Sequence, residues 1–351
     1  MYGPARGPVA PLLLALLAAS CAPGRTATLI PLRVSGLPTP AALPAISAGP
    51  DQLVPLPDGP TAFAAIGHEL ADAHRSIQLE MYEFQRPDLA ALLVNAKERG
   101  VTVTAIADPT ERSSRATWAR LAQAGVEVIA FPVEARTIDH VKLLIVDDSR
   151  AIVGGINWGR RSPANHDFDV LAVGPVVVNL ERVFLEDLLL AGHPGLIPPA
   201  VPDPRVQVLP TRPGEAIRNA ALAAIDGARR SVVLEMFDLS DRLILESLSA
   251  ALSRGVQVRA LLEPTQPQNV EAMAQLRAAG ATVRFFAPQH GELLHAKLGI
   301  VDEHDVLFGS CNWTRSGFTR NHELDLFITD STVAGVFLAQ ADRDWATMSR
   351  S

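Results

Sequence analysis

A chain of 351 residues with 48% apolar content is long enough for two domains that each bury a core. Its 31 Lys and Arg against 38 Asp and Glu leave a net charge of −7. That balance excludes a broad basic surface gripping polyanions through many phosphate contacts, but not a small basic pocket. Two cysteines, Cys21 and Cys311, cannot build a disulfide framework.

The N-terminus reads as an export leader over residues 1–21: Arg6, an apolar run from Leu12 to Ala19 too short to span a bilayer, and small residues up to Cys21. Leu17-Ala18-Ala19-Ser20-Cys21 resembles a bacterial lipoprotein processing site, which would leave Cys21 as a lipidated first residue in the cell envelope. Ala18 stands where a larger aliphatic residue is usual, so cleavage after Ser20 and secretion as a soluble protein is the alternative. Residues 22–58, rich in Pro, Gly, Ala and Thr without a sustained period, are expected to form a linker.

From there an internal repeat organises the chain. Ser76-Ile-Gln-Leu-Glu80-Met-Tyr82 returns as Ser231-Val-Val-Leu-Glu235-Met-Phe237, and Arg99-Gly100-Val returns as Arg254-Gly255-Val, both on an offset of 155 residues. Short Val/Ile/Leu-rich runs alternate with amphipathic stretches such as Leu89 to Glu98 and Leu243 to Ser253, which predicts an α/β sheet covered by helices in each half. A period this long means a duplicated domain rather than a solenoid unit. The first domain is expected over 59–195, a proline-dense linker over 196–204 and the second domain over 205–351.

The same offset carries the chemistry. His140-Val-Lys142 with Asp147 recurs as His295-Ala-Lys297 with Asp302, and each copy runs on to Gly154-Gly155-Ile-Asn157-Trp158 or Gly309-Ser310-Cys-Asn312-Trp313. Alternation along a strand turns His140 and Lys142 to one face, and likewise His295 and Lys297. Asn157 and Asn312 offer amide donors near those faces for a phosphate. Phosphodiester cleavage needs a nucleophile at phosphorus, an acid for the leaving oxygen and cations for the equatorial oxygens. Two His, two Lys and two Asn supply that set with no metal or cofactor. One imidazole attacks to form a phosphohistidine while the other, protonated, releases the alcohol and then serves as base. We assign His140 as nucleophile and His295 as acid and base. Each imidazole needs a partner that fixes its tautomer. Asn165-His166-Asp167 matches Asn321-His322-Glu323 on an offset of 156, which makes Asp167 and Glu323 the candidate orienting carboxylates and leaves His166 and His322 on the opposite strand face in structural roles.

Two H-x-K-x4-D motifs, each with G-G/S-x-N and a downstream N-x-D/E, resemble the phospholipase D superfamily from about residue 60 to 330. The resemblance implies two tandem phospholipase D-like domains, each a mixed sheet flanked by helices, packed with pseudo-two-fold symmetry around one cleft. It also implies a phosphohistidine intermediate and a structural part for the motif aspartates Asp147 and Asp302.

Other residues read more plainly. Cys311 is a small filler beside Asn312, and Trp158 and Trp313 are packing residues at the domain seam. His68 and His74 are six apart, so the H-E-x-x-H zinc spacing is absent. Arg160, Arg161, Arg315 and Arg320 are either phosphate contacts or solvated charges. Export, the anchor at Cys21 and the acidic balance favour a monomeric phospholipid phosphodiesterase at a membrane surface, releasing headgroup and phosphatidic acid. An exported nuclease acting on nucleic acid comes second. Phosphatidyl transfer to a lipid alcohol comes third, though Asp167-Phe-Asp-Val-Leu-Ala-Val-Gly-Pro175 resembles cardiolipin synthases. A catalytically dead tethered binding protein comes last.

Overall fold

The computed structural model describes residues 44–347 apart from Pro213, so the expected leader and Cys21 lie outside the described residues. The first half carries β1 (Ile46–Ala48), β2 (Asp51–Leu56), α1 (Gly59–Ala71), β3 (Ser76–Met81), α2 (Pro87–Glu98), β4 (Thr102–Ala107), α3 (Arg115–Gln123), β5 (Glu127–Ala130), β6 (Lys142–Val146), β7 (Arg150–Gly154), β8 (Asp169–Val173) and α4 (Pro175–Leu190). The second carries β9 (Val206–Pro210), α5 (Ala216–Gly227), β10 (Ser231–Met236), α6 (Arg242–Ser253), β11 (Gln257–Leu262), α7 (Gln268–Ala278), β12 (Thr282–Phe285), β13 (Lys297–Val301), β14 (Asp305–Gly309), α8 (Arg315–Thr319), β15 (Leu324–Thr329) and α9 (Ser331–Thr347).

Each half folds around one mixed sheet, as its alternating elements predict. The first runs β1-β2-β8-β7-β6-β3-β4-β5, and the second runs β9-β15-β14-β13-β10-β11-β12 in the matching direction. The two orders are identical except for β1, an added antiparallel edge strand. In both sheets three strands joined by helical crossovers are parallel, and the motif hairpin is antiparallel to them.

The linker expected over 22–58 is corrected in its last part. Residues 46–56 form β1 and β2, and β2 pairs with β8 while burying Leu53 and Leu56. Proline had argued against a strand there, yet Pro55 is tolerated within β2. The stretch before β9 is irregular and is tied to α4 by reciprocal bonds between the Asn179 amide and the Val201 backbone at 2.7 and 2.9 Å.

Three apolar clusters explain how the halves are held. One lies within the first half and includes Ile77, Leu79, Leu93, Leu144 and Val146; a counterpart in the second half includes Val232, Leu234, Leu248 and Val301. The third draws on both sheets and on α4 and α9, with Val141, Leu143 and Ile145 meeting the same core as Ala296, Leu298 and Ile300. Period-2 alternation therefore divides the motif strand: Leu143 and Ile145 face the shared core, Leu144 and Val146 the first half's own. Trp158 and Trp313 belong to the two separate cores, not to the seam. Phe84 meets Trp158 edge-on at 4.9 Å, which anchors that indole inside its own half.

Candidate active site

The motif aspartates close hairpin turns. Asp147 and Asp148, with φ of 53° and 54°, and Asp302 and Glu303, with φ of 52° and 58°, occupy the left-handed region at successive positions, where Asp is tolerated better than most residues. The Asp147 carboxylate accepts from the backbone N–H groups of His74, Arg75 and Ser76 at 3.1, 2.6 and 3.0 Å. Asp302 accepts from those of Arg229, Arg230 and Ser231 at 2.9, 2.8 and 2.9 Å. These residues fasten the motif hairpins to the start of β3 and β10, the structural part that the family resemblance implied.

At the other end of those hairpins the halves exchange partners. The segment holding His322 pairs with Asp139, and the segment holding His166 pairs with Leu294. His140 N–H donates to the His322 carbonyl at 2.8 Å, and His295 N–H donates to the His166 carbonyl at 2.9 Å. That cross-pairing sets the side chains. Glu323 of the second half accepts from Nδ1 of His140 at 2.8 Å, and Asp167 of the first half accepts from Nδ1 of His295 at 2.6 Å. Each expected orienting carboxylate thus serves the histidine of the opposite half through Nδ1, leaving each Nε2 outside that pairing.

All six groups are at least nine-tenths buried, with His295 the most accessible at 9%. Lys142 and Lys297 donate to the carbonyls of His140 and His295 respectively. Burial pushes the Lys142 amine down to about 7, an effect that Lys297 reinforces and Glu323 opposes. Burial likewise pushes Lys297 down to about 8 against the pull of Asp167. The two imidazoles differ. Lys297 Nζ lies 2.9 and 3.1 Å from the ring nitrogens of His295, and burial with that ammonium drives His295 down to about 4. Burial also lowers His140, but the Glu323 carboxylate is the main opposing influence there.

Asn157 and Asn312 follow the glycine corners as expected, and the carboxamide oxygen of each is buried with no hydrogen bond among the described residues. The corners also show why one half reads Gly-Gly and the other Gly-Ser. A Cβ on Gly155 would overlap Asp167 Oδ1, whereas the Ser310 hydroxyl donates to Glu323 Oε2 at 2.6 Å. Cys311 is a buried filler whose thiol burial raises well above its usual range.

Several residues packed against the histidines escaped the sequence reading. Tyr82 sits edge-on to His140 at 4.9 Å and Phe237 lies 5.0 Å from His295, each ring also under the matching lysine at 5.3 Å. The repeat register had already paired these two aromatics. Asp187 on α4 accepts from Nε2 of His322 at 2.8 Å, and Asp344 on α9 pairs with Nδ1 of His166 at 3.0 Å. An acid in the apolar face of each final helix was the available signal. Glu80, Asp187 and His322 bring one donor each within 4.8 Å, a grouping that could hold a metal ion, although the Asp187–His322 bond already engages two of the three.

A doubled His-Lys constellation, buried where two like α/β domains meet, defines the class of protein: a phospholipase D-like enzyme. The family model described as cardiolipin synthase, phospholipase D-like domain, matches twice, over residues 66–188 and 221–345, and the chain belongs to that family within the phospholipase D superfamily. Cardiolipin synthase A of Pseudomonas fluorescens is 28% identical over 326 residues, covering 83% of this chain and 68% of its own. Cardiolipin synthase of Geobacillus thermodenitrificans is 28% identical over 322 residues, covering 80% and 64%. The chain thus spans about two thirds of the length of these curated relatives. Among solved structures, the phosphatidylserine synthase of Haemophilus influenzae superposes with a TM-score of 0.62 at 13% identity, covering 88% of this chain and 87% of its own. The polyphosphate kinase of Porphyromonas gingivalis gives 0.61 at 18%, covering 83% and 46%. At these identities both speak for the fold alone.

Proposed function

We propose that this protein is a phosphatidyltransferase of cardiolipin synthase type, moving a phosphatidyl group from one phospholipid headgroup to the hydroxyl of a lipid alcohol. The sequence reading put hydrolysis first and transfer third; the relatives favour the reverse order. The observation that carries transfer is the likeness to cardiolipin synthases along both halves of the chain, over 83% of its length. A phosphohistidine opens equally well to water or to an alcohol, so the site chemistry itself suits both.

The electrostatics support a revised division of labour. A nucleophilic imidazole must be neutral, and His295, pushed down to about 4 by burial and by Lys297, is neutral across the physiological range. Burial lowers His140 as well, but there the Glu323 carboxylate opposes it, so of the two imidazoles His140 suits the acid. Nε2 of His295 attacks phosphorus, and His140 gives its proton to the departing headgroup oxygen. Lys142 and Lys297 offset the charge on the non-bridging oxygens. In the second step the incoming hydroxyl passes its proton to His140, its oxygen bonds phosphorus, and the P–N bond electrons return to His295.

Purified protein incubated with labelled phosphatidylglycerol, with and without ethanol, and in parallel with single- and double-stranded DNA, tests this reading. Cardiolipin and phosphatidylethanol are expected. Phosphatidic acid alone would restore hydrolysis, and DNA cleavage without lipid turnover would restore the nuclease reading. Action in the cell envelope, anchored through Cys21, accompanies the proposal. Cys21→Ser should move the protein from the membrane to the soluble fraction, and unchanged partitioning refutes the anchor.

A further inference from the structure

Next to His140 lies a buried polar cluster that the proposed chemistry does not use. Glu80 lies in β3, Asp187 on α4 and His322 just before Glu323, and one donor atom of each lies within 4.8 Å of the others, the one such grouping of three among the described residues. All three are buried, as is Asp139, whose charge acts on Glu80. His322 Nε2 faces both acids of the trio, 2.8 Å from Asp187 Oδ2 and 3.9 Å from Glu80 Oε1. Neither oxygen of the Glu80 carboxylate, nor Asp139 Oδ2, meets a hydrogen-bond donor among the described residues.

Carboxylates gathered in a dry interior cannot all stay ionised unless a cation stands among them. The protein's own cations here are engaged elsewhere. Lys142 acts on Asp139 and Arg212 on His322, but Lys142 donates to the His140 carbonyl and Arg212 lies 3.7 Å from Glu134. The second half meets the same charge with a side chain. Glu235, the counterpart of Glu80, is opposed by Arg259, which bonds Asp342 at 2.5 Å; on the 155-residue offset the first half has Thr104 in that place. Leu294 likewise stands where the first half has Asp139, and the His166 side chain is 27% exposed against 3% for His322. One oxygen each of Glu235 and Asp344 also lacks a donor, but there a guanidinium offsets the charge.

An imidazole nitrogen set among carboxylate oxygens suits a divalent transition cation such as Zn²⁺ better than Ca²⁺ or Mg²⁺, which take oxygen ligands. We propose that Glu80, Asp187 and His322 bind one divalent cation of the Zn²⁺ class, with Asp139 Oδ2 as the fourth donor, in a closed structural site. The ion takes the place of the proton between His322 Nε2 and Asp187, so those two groups keep facing each other. Its position gives it a role. His322 N–H donates to the Ile138 carbonyl, and the His322 carbonyl accepts from His140 N–H, both at 2.8 Å. An ion here ties β3 and α4 of the first half to the segment of the second half that carries Glu323, the partner of His140. With all four positions filled by protein groups, it orders the seam and takes no part in the chemistry at phosphorus.

The test dialyses the purified protein against a chelator, then titrates it with ZnCl2 by calorimetry and follows its melting temperature. Wild type should bind one equivalent of Zn²⁺ in this site and melt several degrees higher when loaded. Glu80→Gln, which keeps the shape and removes the charge, should lose that equivalent and the rise in melting temperature. His295→Ala, a control for zinc held by the catalytic imidazoles, should keep both. Retention of the equivalent by Glu80→Gln, or its loss with His295→Ala, places the ion elsewhere and overturns the proposal. A wild type that binds no Zn²⁺ overturns it too, as does a Glu80→Gln protein that melts no lower than loaded wild type, because a protonated Glu80 then accounts for the cluster. Should Glu80→Gln fail to fold, the chelated wild type and His295→Ala decide: melting temperatures unmoved by Zn²⁺ overturn the site.

Discussion

Asp167→Asn isolates the cross-domain contact on which the proposed mechanism depends. Asp167 is 2% exposed and accepts from His295 Nδ1 through Oδ2 at 2.6 Å, while Oδ1 accepts from Phe168 N–H at 3.1 Å. Asparagine keeps the shape and can keep its oxygen on Phe168, which turns its NH2 towards His295. Nδ1 must then become the acceptor, and the proton moves to Nε2, the atom required to attack phosphorus. Loss of a hydrogen bond to a charged group costs about 1.5–3 kcal/mol, or roughly tenfold to a hundredfold at 1.36 kcal/mol per decade. The wrong tautomer adds to this, and in a serine-protease triad the analogous change costs about 10⁴ in kcat. A fall in kcat of about 10² to 10⁴ is therefore expected, measured as phosphatidyl transfer with a melting curve to confirm folding. Glu323→Gln provides the contrast. If His140 is the acid, the Glu323→Gln defect should shrink on a substrate with a p-nitrophenolate leaving group, which departs without a proton, while the Asp167→Asn defect persists. A kcat for Asp167→Asn close to wild type, or equal rescue of both variants by the good leaving group, would refute the reasoning.

The pH dependence of kcat/KM should be bell-shaped. His295 must lose its proton, so activity rises as pH passes upward through about 4; His140 must keep its proton to serve as the acid, and burial holds it below its usual 6.5, so activity falls first as that group titrates and then more steeply as Lys142 and Lys297 lose theirs through about 7 to 8. Lys142→Arg, with a guanidinium that stays charged, should make the decline above pH 7 shallower, leaving the phases of His140 and Lys297, and an unchanged decline removes Lys142 from phosphate binding. Asp302→Ala should lower stability by about 2–3 kcal/mol, because three backbone N–H groups lose their acceptor at about 1 kcal/mol each, while turnover well below the melting temperature is retained. Against the cost of burial, those same N–H groups hold the Asp302 carboxyl below its usual 3.8. Its contribution is thus present above pH 3.8 and lost as pH falls through the folded value, so calorimetry should show wild type and variant converging in acid. Equal melting temperatures at pH 7 would contradict the turn-anchor role.

Much of the site was legible because its residues recur on a rigid arithmetic. The His-Lys pairs, the turn aspartates and the asparagine corners sit on elements whose lengths the two copies share. The one-residue slip after Trp158 and Trp313 falls in the loop where the second half forms α8 and the first forms only a short turn. Asp167 and Glu323 were found through that slip. Residues 46–56 were misread because composition averaged over a long proline-rich stretch hid two strands that exist by pairing with β8 and with each other. Asp187 and Asp344 went unnoticed because a single acid in an apolar helix face is a weak signal that does not name its partner, which lies more than a hundred residues away.

The amino-acid sequence by itself determined that there are two like α/β domains, which residues make up the doubled His-Lys site and which carboxylates partner the imidazoles, since these follow from period, register and side-chain chemistry. Only the tertiary structure decided that each carboxylate serves the histidine of the other half. It also separated two histidines that are identical in motif: Lys297 lies against the ring of one, while Glu323 is the leading counterweight at the other. Local patterns specify which face of a strand a residue occupies, but cross-domain pairing, burial and the distances that set proton affinity arise only when two sheets close on a common core.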